Sequence, residues 1–435
     1  MSEPTWTGLM ARLSGLAALL FFHTTLGVSP ARAEDWQRLT DQLTKAGVTP
    51  TAVYDGGAAA NMSGGVKQGT IYSGNLHLQL ALDGEHLAGL PGLTAFLDGL
   101  WINAGQPSKY VGDAQGVSNI AAPPTARLYE AWLQYNFPGS RISILAGLYD
   151  LSTEFYHINS GDLFLNGSFG TGPEFGLSGL GGPSIYPATS LGLRLAYKPS
   201  LNSVLRLAIM DGEPLWPSDG SPDPFNTRNG LLLVGEAAFL TRAPTGDPPP
   251  GPQARKRIGR LSKLSPYDDK IAVGAWYYTT GFNDLGASNP NAVPEKHHGE
   301  GGAYLLVDHL LFQSVGDPNR RLAGFVQLGV AEDVVDRIGT YVGAGLVASG
   351  VFPGRPDDQL GIAVAMARNG SGYISAQRQA GLPVSPAETS IELSYLAQVA
   401  SWLAVQPDIQ YVISPDTDPR LQNATVAQLR FEVTF

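Results

Sequence analysis

The sequence predicts an all-β chain, a transmembrane antiparallel β-barrel of about sixteen strands and of the bacterial outer-membrane type. Three observations predict it. Apolar and polar residues alternate with a period of two along most of the chain. Charged residues make up 15% of the 435 residues, compared with about 25% in typical soluble domains. Long and short connections alternate between the predicted strands, and such barrels combine long external loops with short periplasmic turns.

Residues 1–33 predict a secretory signal peptide. Arg12 precedes an apolar run at residues 13–22, and a small-x-small pattern ends at Ala33. This order of basic, apolar and cleavage regions is typical of exported proteins. An N-terminal membrane anchor is the alternative, but the apolar run is shorter than the roughly 20 residues that span a bilayer.

Beyond the predicted cleavage site we expect two regions. Residues 34–50 form a short periplasmic segment, in which Trp36–Ala46 has the pattern of an amphipathic helix. Residues 51–435 form the barrel domain. No later window contains the roughly 18 consecutive apolar residues that predict a transmembrane helix. We therefore expect a protein of the bacterial outer membrane that is exported through the periplasm.

The strand pattern is clear at residues 70–83, where Leu76 and Leu78 alternate with His77 and Gln79. A helix would not sort residues in this way, whereas a strand with two different faces would. A barrel turns the apolar face to lipid, and a secreted β-sandwich would bury it instead. The first strand is predicted near Val53–Asn61, and the alternation recurs at residues 129–137, 191–198, 271–277, 338–346, 390–398, 403–411 and 428–435.

The lengths of the connections favour the barrel over the sandwich. Residues 150–189 form a long connection, whereas Pro199–Asn202 and Ala400–Trp402 are short. One connection does not fit. Thr241–Asp269 is long, rich in proline and basic where a short turn is expected, which indicates either a missed hairpin or an unusual periplasmic excursion.

Composition and motifs exclude several classes of function. The absence of cysteine excludes disulfides, zinc–thiolate sites and thiol nucleophiles. A net charge of −10 argues against a nucleic-acid partner, because phosphate binding needs a basic surface. The motifs of metalloproteases, phosphate-binding loops and serine hydrolases are absent, so we expect neither an enzyme nor a cofactor or metal. His297–Glu300 is interpreted as a solvated loop, and Asp357-Asp358 as part of a turn.

The last predicted strand ends in Phe435, after apolar residues at Leu429, Phe431 and Val433. An aromatic end of this kind resembles the assembly signal of bacterial outer-membrane barrels. We therefore expect this strand to contact the barrel-assembly machinery. The apolar outer face of the barrel should contact membrane lipid and lipopolysaccharide.

Five motifs, spread over nearly the whole mature chain, carry a resemblance to a known family. They are Gly147–Asp150, Leu163–Gly170, Leu191–Tyr197, Phe352–Asp358 and Trp402–Val412. Together they resemble the carbohydrate-selective porin family, OprB, although Leu148 stands where a basic residue is expected. The resemblance implies a sixteen-stranded outer-membrane barrel that passes monosaccharides such as glucose, and similar polyols, by passive diffusion.

The inward faces of the predicted strands, and the long connection, supply candidates for contact with a sugar. A pore that favours neutral polyols needs hydrogen-bond donors, acceptors and aromatic faces, and its binding must be weak enough for the solute to leave. Opposite charges across the lumen would favour such solutes over ions. The candidates are Glu130, Trp132, Arg141, Glu154, Arg194, Arg206, Trp276, Glu392 and Asp408, and Arg430 and Glu432 lie on the same inward faces.

Asp150–Thr189 is the best candidate for a loop that folds into the pore, and an external cap is the alternative. Two other functions stay open beside sugar-selective diffusion. A general or anion-preferring porin would use the same barrel, and an adhesin or enzyme would use the barrel as a scaffold.

Overall fold

The computed structural model describes residues 30–103, 105–214, 229–240, 269–286 and 296–434. Its strands are β1 (Val48–Ser63), β2 (Gly69–Asp83), β3 (Leu93–Asn103), β4 (Thr125–Asn136), β5 (Ile142–Tyr149), β6 (Ser190–Ser200), β7 (Ser203–Asp211), β8 (Leu231–Leu240), β9 (Lys270–Asn283), β10 (Lys296–Gln313), β11 (Arg321–Ala331), β12 (Ile338–Ser349), β13 (Gln359–Asn369), β14 (Ala387–Ala400), β15 (Leu403–Ile413) and β16 (Ala424–Thr434).

The helices are few and mostly short. The α-helices are α1 (Pro30–Lys45), α2 (Gly84–Ala88), α3 (Ser108–Val111), α4 (Pro173–Gly176) and α5 (Ser371–Gln379), and single 3₁₀ turns occur at Leu151–Thr153, Ser160–Leu163, Gly167–Phe169 and Pro415–Thr417. Among the described residues, none of the helices has the length and apolar character needed to cross a membrane.

All sixteen strands form one closed antiparallel barrel, in which each strand pairs with its neighbours in sequence. The barrel closes where β1 pairs with β16, so that Val53 lies opposite Thr434 and Gly57 opposite Arg430. Closure gives each strand a hydrogen-bonded partner on both sides, and hydrocarbon surroundings require this because they offer no water to an open edge. The predicted fold class and number of strands are confirmed.

The two faces of the barrel wall have opposite chemistry. Leu193, Leu207 and Leu429 are exposed on the outside, whereas Arg194 and Gln410, on the other parity of their strands, are buried inside. This is the distribution of a barrel in lipid, with apolar residues outside and polar residues facing the lumen. We call the end that carries connections 201–202 and 401–402 the short-turn end, and the opposite end the long-loop end.

The alternation fails at Tyr129, which the pattern over residues 129–137 places on the outer face with Ala131 and Leu133. The pairing of β3 with β4 shifts between Asp98 and Gly99, so that Tyr129 has no partner of its own in the register. Such a bulge inserts one extra residue into a strand and changes the parity of what precedes it. Tyr129 and Glu130 therefore both point into the barrel, and the Tyr129 hydroxyl donates to Asp150.

His297–Glu300, interpreted from the sequence as a solvated loop, belongs instead to β10. Glu300 is buried and accepts a hydrogen bond from the Gly179 amide at 3.0 Å. The sequence interpretation was wrong because the surrounding Asn and Pro residues suggested a turn, while the strand had already begun at Lys296.

Several predictions fall wholly or partly outside the described residues. The described chain begins with α1, which covers the predicted helix at Trp36–Ala46 except for its last residue. Most of the predicted signal peptide, most of the irregular connection at 241–269, and Phe435 lie outside the described ranges. The predicted first strand is confirmed and is longer than expected, because β1 begins at Val48.

Candidate functional site

The long connection between β5 and β6 lies inside the barrel, and we call residues 150–189 the constriction segment. It follows Gly147, whose φ of 139° favours glycine. A Cβ atom at Gly147 would lie 2.2 Å from the carbonyl oxygen of Ala131 on the neighbouring strand. The chain therefore passes close to β4 just before it turns inward, and only glycine fits there.

Carboxylates on the inner wall hold the constriction segment by its backbone amides. Glu392 accepts from the amides of Leu165 and Asn166 at 2.5 and 3.1 Å, and Asp308 accepts from the amide of Ser160 at 2.9 Å. The other wall carboxylates that accept from amides of this segment are Glu130, Glu236 and Glu300.

A second segment, residues 105–124, packs beside the first. The Asn119 amide donates to the Leu165 carbonyl at 2.8 Å, and the Gly167 amide donates to the Gly116 carbonyl at 2.7 Å. Arg430 donates to the Asn119 side chain at 2.5 Å. Two long connections thus narrow the lumen together, and β16 supports the contact between them.

An aromatic cluster covers one face of the constriction segment. Phe175 stacks on Trp276 with ring centroids 5.0 Å apart and an interplanar angle of 17°. The ring centroids of Tyr156 and Tyr304 lie 4.4 Å apart. These contacts bury large apolar area against β9 to β12, which stabilises the position of the segment. The remaining rings of the aromatic cluster are Phe164, Phe169, Phe325 and Tyr341.

The opposite face of the constriction segment lies against the barrel wall at a group of acidic and basic side chains. We call this group the charge cluster: Glu154 of the segment, and Arg194, Arg206, Glu236 and Lys270 of the wall. Arg194 Nε lies 2.7 Å from Glu154 Oε2, and Arg206 Nε lies 3.7 Å from Glu154 Oε1. Glu236 Oε1 lies 3.2 Å from Arg206 Nη1 and 3.3 Å from Lys270 Nζ. The cluster therefore joins strands β6 to β9 with the constriction segment, toward the short-turn end.

Parts of the charge cluster face the aqueous lumen. The side chains of Glu154, Arg206 and Lys270 are 16%, 17% and 14% exposed, whereas the side chain of Glu236 is fully buried. Burial opposes ionisation of Glu154, but the guanidinium groups of Arg194 and Arg206 outweigh it and lower the pKa of Glu154. The partly exposed side chains of the charge cluster are thus one ionised acceptor, Glu154, and two cationic donors, Arg206 and Lys270.

Three of the predicted site residues, Glu154, Arg194 and Arg206, meet in the charge cluster. Their contact with a solute stays a prediction. These three charges were expected to face one another across the lumen, but they pair directly along one wall. Their opposite signs therefore compensate locally.

The two predicted tryptophans offer little surface to a solute. Trp132 and Trp276 are each only 3% exposed. Trp132 stacks on Phe96 with centroids 5.1 Å apart, and Trp276 stacks on Phe175. Both tryptophans lie on an inward face, as predicted. Because other side chains fill the lumen in front of them, their rings pack against those side chains instead of facing a solute.

The predicted carboxylates Glu130, Glu392 and Asp408 also lie inside the barrel and are buried. Glu130 accepts from the Asp150 amide at 3.2 Å, and Asp408 accepts from the side chain of Gln410 at 3.2 Å. Because Glu130 and Glu392 are engaged by the constriction segment, they position that segment instead of presenting free acceptors to the lumen.

Arg141 lies apart from the other candidates. It precedes β5 in the connection to β4, is exposed, and donates to the carbonyl of Pro199 near the end of β6. Its assignment to an inward face was wrong, because the strand that would have given it a parity begins only at Ile142.

Glu236 and Lys270 were missed by the sequence analysis. Glu236 lies on the inward face of β8, whose other inward residues include Leu232 and Val234. A single acidic residue within that apolar run was the available signal. Among the described residues, no His, Cys, Asp and Glu side chains are grouped so as to hold a metal ion.

Comparison with known proteins identifies the family. Residues 67–435 match the carbohydrate-selective porin, OprB family. Porin B of Pseudomonas aeruginosa is 26% identical over 147 residues, a match that spans 31% of this chain and 32% of that relative. A putative porin of Acinetobacter baylyi, QuiX, is 24% identical over 443 residues and 92% of each chain.

A solved structure shares the fold. The structure of OprB from Pseudomonas putida at high pH aligns with a TM-score of 0.78 at 21% identity, over 92% of this chain and 97% of that one. Because the family match covers most of the chain, the resemblance inferred from its motifs is confirmed. The chain belongs to the carbohydrate-selective porin, OprB family, and is a sugar-selective porin of the outer membrane.

Proposed function

We propose that the chain passes monosaccharides and similar polyols by passive diffusion, and that the charge cluster is where they are selected. The observation that carries the proposal is the partly exposed set of Glu154, Arg206 and Lys270, beside the segment that narrows the lumen. A sugar hydroxyl both donates and accepts hydrogen bonds. A carboxylate can accept a hydrogen bond from the hydroxyl, and an adjacent cationic group can donate one to it.

Weak binding follows from the same geometry. Arg206 and Lys270 already form ion pairs with Glu236, and Arg194 forms an ion pair with Glu154. The ion pairs are present both before a sugar hydroxyl arrives and after it leaves. The hydroxyl therefore competes with existing contacts, so its net gain in free energy is small. A diffusion pore needs this, because tight binding would hold the solute.

Liposome swelling tests the proposal. Vesicles that contain the purified protein should swell faster in glucose, xylose or arabinose than in amino acids of equal size. Equal rates for sugars and amino acids would contradict sugar selection while leaving a general porin. Empty vesicles and vesicles with a heat-denatured sample control for leakage.

The other candidate within transport is an anion-preferring porin. Arg194, Arg206 and Lys270 supply cations on one wall, and exposed Lys198 lies nearby toward the short-turn end. Reversal potentials in a KCl gradient distinguish the two, because an anion pore shows a strong chloride preference and a pore for neutral polyols does not.

The proposal extends to assembly and partners. We propose export through the periplasm by a signal peptide cleaved after Ala33, contact of the C-terminal strand with the barrel-assembly machinery, and contact of the outer leucines with membrane lipid and lipopolysaccharide. We also propose that the chain acts as a channel without catalysis.

N-terminal sequencing of the mature protein tests the cleavage site, and any residue other than Glu34 at the N-terminus would contradict it.

A further inference from the structure

The cations of the charge cluster and their counter-charge differ in access to the lumen. Arg206 and Lys270 are partly exposed, whereas the Glu236 side chain between them is fully buried. One carboxylate oxygen, Oε1, lies within 3.3 Å of both cationic groups. A solute can therefore reach the donors but cannot reach the carboxylate that balances them.

The position of Glu236 is fixed by its other oxygen. Oε2 accepts from the Tyr156 amide at 3.0 Å and from the Tyr304 hydroxyl at 3.0 Å. Tyr156 belongs to the constriction segment and Tyr304 to β10, and their rings are in contact. The same carboxylate thus joins the aromatic cluster to the charge cluster, and it cannot turn toward the lumen without breaking both hydrogen bonds.

The charges of this wall are close to balanced. Glu154 accompanies Arg194 and Arg206, and Asp308 lies opposite Lys270 in the pairing of β9 with β10. Beyond about a Debye length, roughly 8 Å at physiological salt, an ion feels little of the field of these paired charges. Within contact distance, however, the N–H groups of a guanidinium or an ammonium remain strong donors.

We propose that Glu236 is a specificity-determining residue: a hidden counter-charge that lets Arg206 and Lys270 donate to sugar hydroxyls without attracting anions. This inference rests on the proposed function and deepens it, since it states how one site favours neutral polyols over ions. Glu236 acts through the two cations and touches no solute, so it is a positioning residue. Without it, the same donors would form an anion-attracting patch.

The test replaces Glu236 by glutamine, which keeps the shape and removes the charge. In a KCl gradient, E236Q should shift the permeability ratio toward chloride by about threefold, which corresponds to about 0.7 kcal/mol because about 1.4 kcal/mol is a factor of ten. Glu300→Gln is the matched control. Glu300 is also a buried wall carboxylate that accepts from the constriction segment, at Gly179, and no basic partner of it is described.

Two further variants keep the test decisive. Arg206→Gln should shift the ratio toward potassium, and E236Q combined with R206Q should return it toward wild type. An unchanged ratio in E236Q, or an equal shift in Glu300→Gln, would overturn the inference. If E236Q fails to fold, the single Arg206→Gln variant decides, since no shift toward potassium would also overturn it. Swelling of wild-type vesicles judges the proposed function separately, because it does not depend on these variants.

Discussion

The two faces of the constriction segment differ in what they contact and in how much water reaches them. Its aromatic face, with Phe164, Phe169 and Phe175, is buried against β9 to β12. Its charged face carries Glu154, which is partly exposed and lies against Arg194 and Arg206. Tyr156 belongs to both, since its ring packs on Tyr304 and its amide donates to Glu236.

This difference indicates that one face fixes the position of the constriction segment and the other face selects the solutes. Packing of rings fixes where the segment lies, because interiors are close-packed and tolerate little movement. The charge cluster is left with enough exposure to meet a solute. Changes on the aromatic face should therefore alter stability and pore size, and changes on the charged face should alter which solutes pass.

Removing the segment should have the largest effect, since it abolishes both faces. We expect replacement of residues 152–186 by a short Gly-Ser linker to raise single-channel conductance several-fold and to admit disaccharides that the wild type excludes. The physical reason is that the segment occupies the lumen and contacts strands on both sides of it.

Planar-bilayer recording and swelling in sucrose measure this prediction. A matched control shortens the connection at 370–386, which lies at the same end of the barrel. Unchanged conductance after removal of the constriction segment would contradict a role in permeation and would favour an external function such as adhesion.

Truncation on the aromatic face tests position alone. Trp276→Ala should lower the free energy of unfolding by about 3–5 kcal/mol, as is typical for loss of a buried large aromatic side chain, because Trp276 stacks on Phe175. Urea unfolding followed by tryptophan fluorescence measures it. Trp402→Ala is the control, since Trp402 is exposed at the short-turn end. Equal losses in the two variants would show that the stack does not hold the segment.

A smaller effect is expected where Glu392 holds the backbone of the constriction segment. Glu392→Ala leaves the amides of Leu165 and Asn166 without their acceptor, which should cost about 1–3 kcal/mol. Open-channel current should become noisier as the segment gains freedom. Glu85→Ala, in the first turn of α2 at the short-turn end, is the control, because Glu85 is exposed. Quiet channels of wild-type stability in Glu392→Ala would show that Glu392 does not hold the constriction segment in place.

The smallest effect is a pH dependence within the aromatic cluster. Burial raises the pKa of Glu174 to about 7 although Tyr156 donates to it. The neutral acid is therefore favoured in the folded state, so its contribution is present below the unfolded pKa and is lost as pH rises through about 7. Tm should fall between pH 5 and pH 8, values that bracket this pKa, and less so in Glu174→Gln. A wild-type slope unchanged in Glu174→Gln would contradict this.

Period-two alternation predicted the barrel well, because lipid outside and a polar lumen inside impose opposite chemistry on successive residues. It failed at Tyr129, where a bulge in the register changes parity, and no local pattern marks such a bulge. It also failed for Arg141, which precedes its strand.

The site was only partly predictable for a different reason. Inward position could be inferred for Trp276 and Glu392, but their use depends on a connection distant in sequence that fills the lumen. Alternation shows that a side chain points inward and cannot show what occupies the space in front of it. Glu236 was missed because its partners, Arg206, Lys270 and Tyr156, come from three other elements.

The central claim is that the charge cluster selects neutral sugars. The most direct measurement is the ratio of swelling rates in glucose and in an amino acid of equal size, compared between wild type and the double variant Arg206→Ala with Lys270→Ala. We predict a ratio well above one for wild type that falls toward one in the variant, with conductance at least as large. A ratio that is the same in both proteins would contradict the claim.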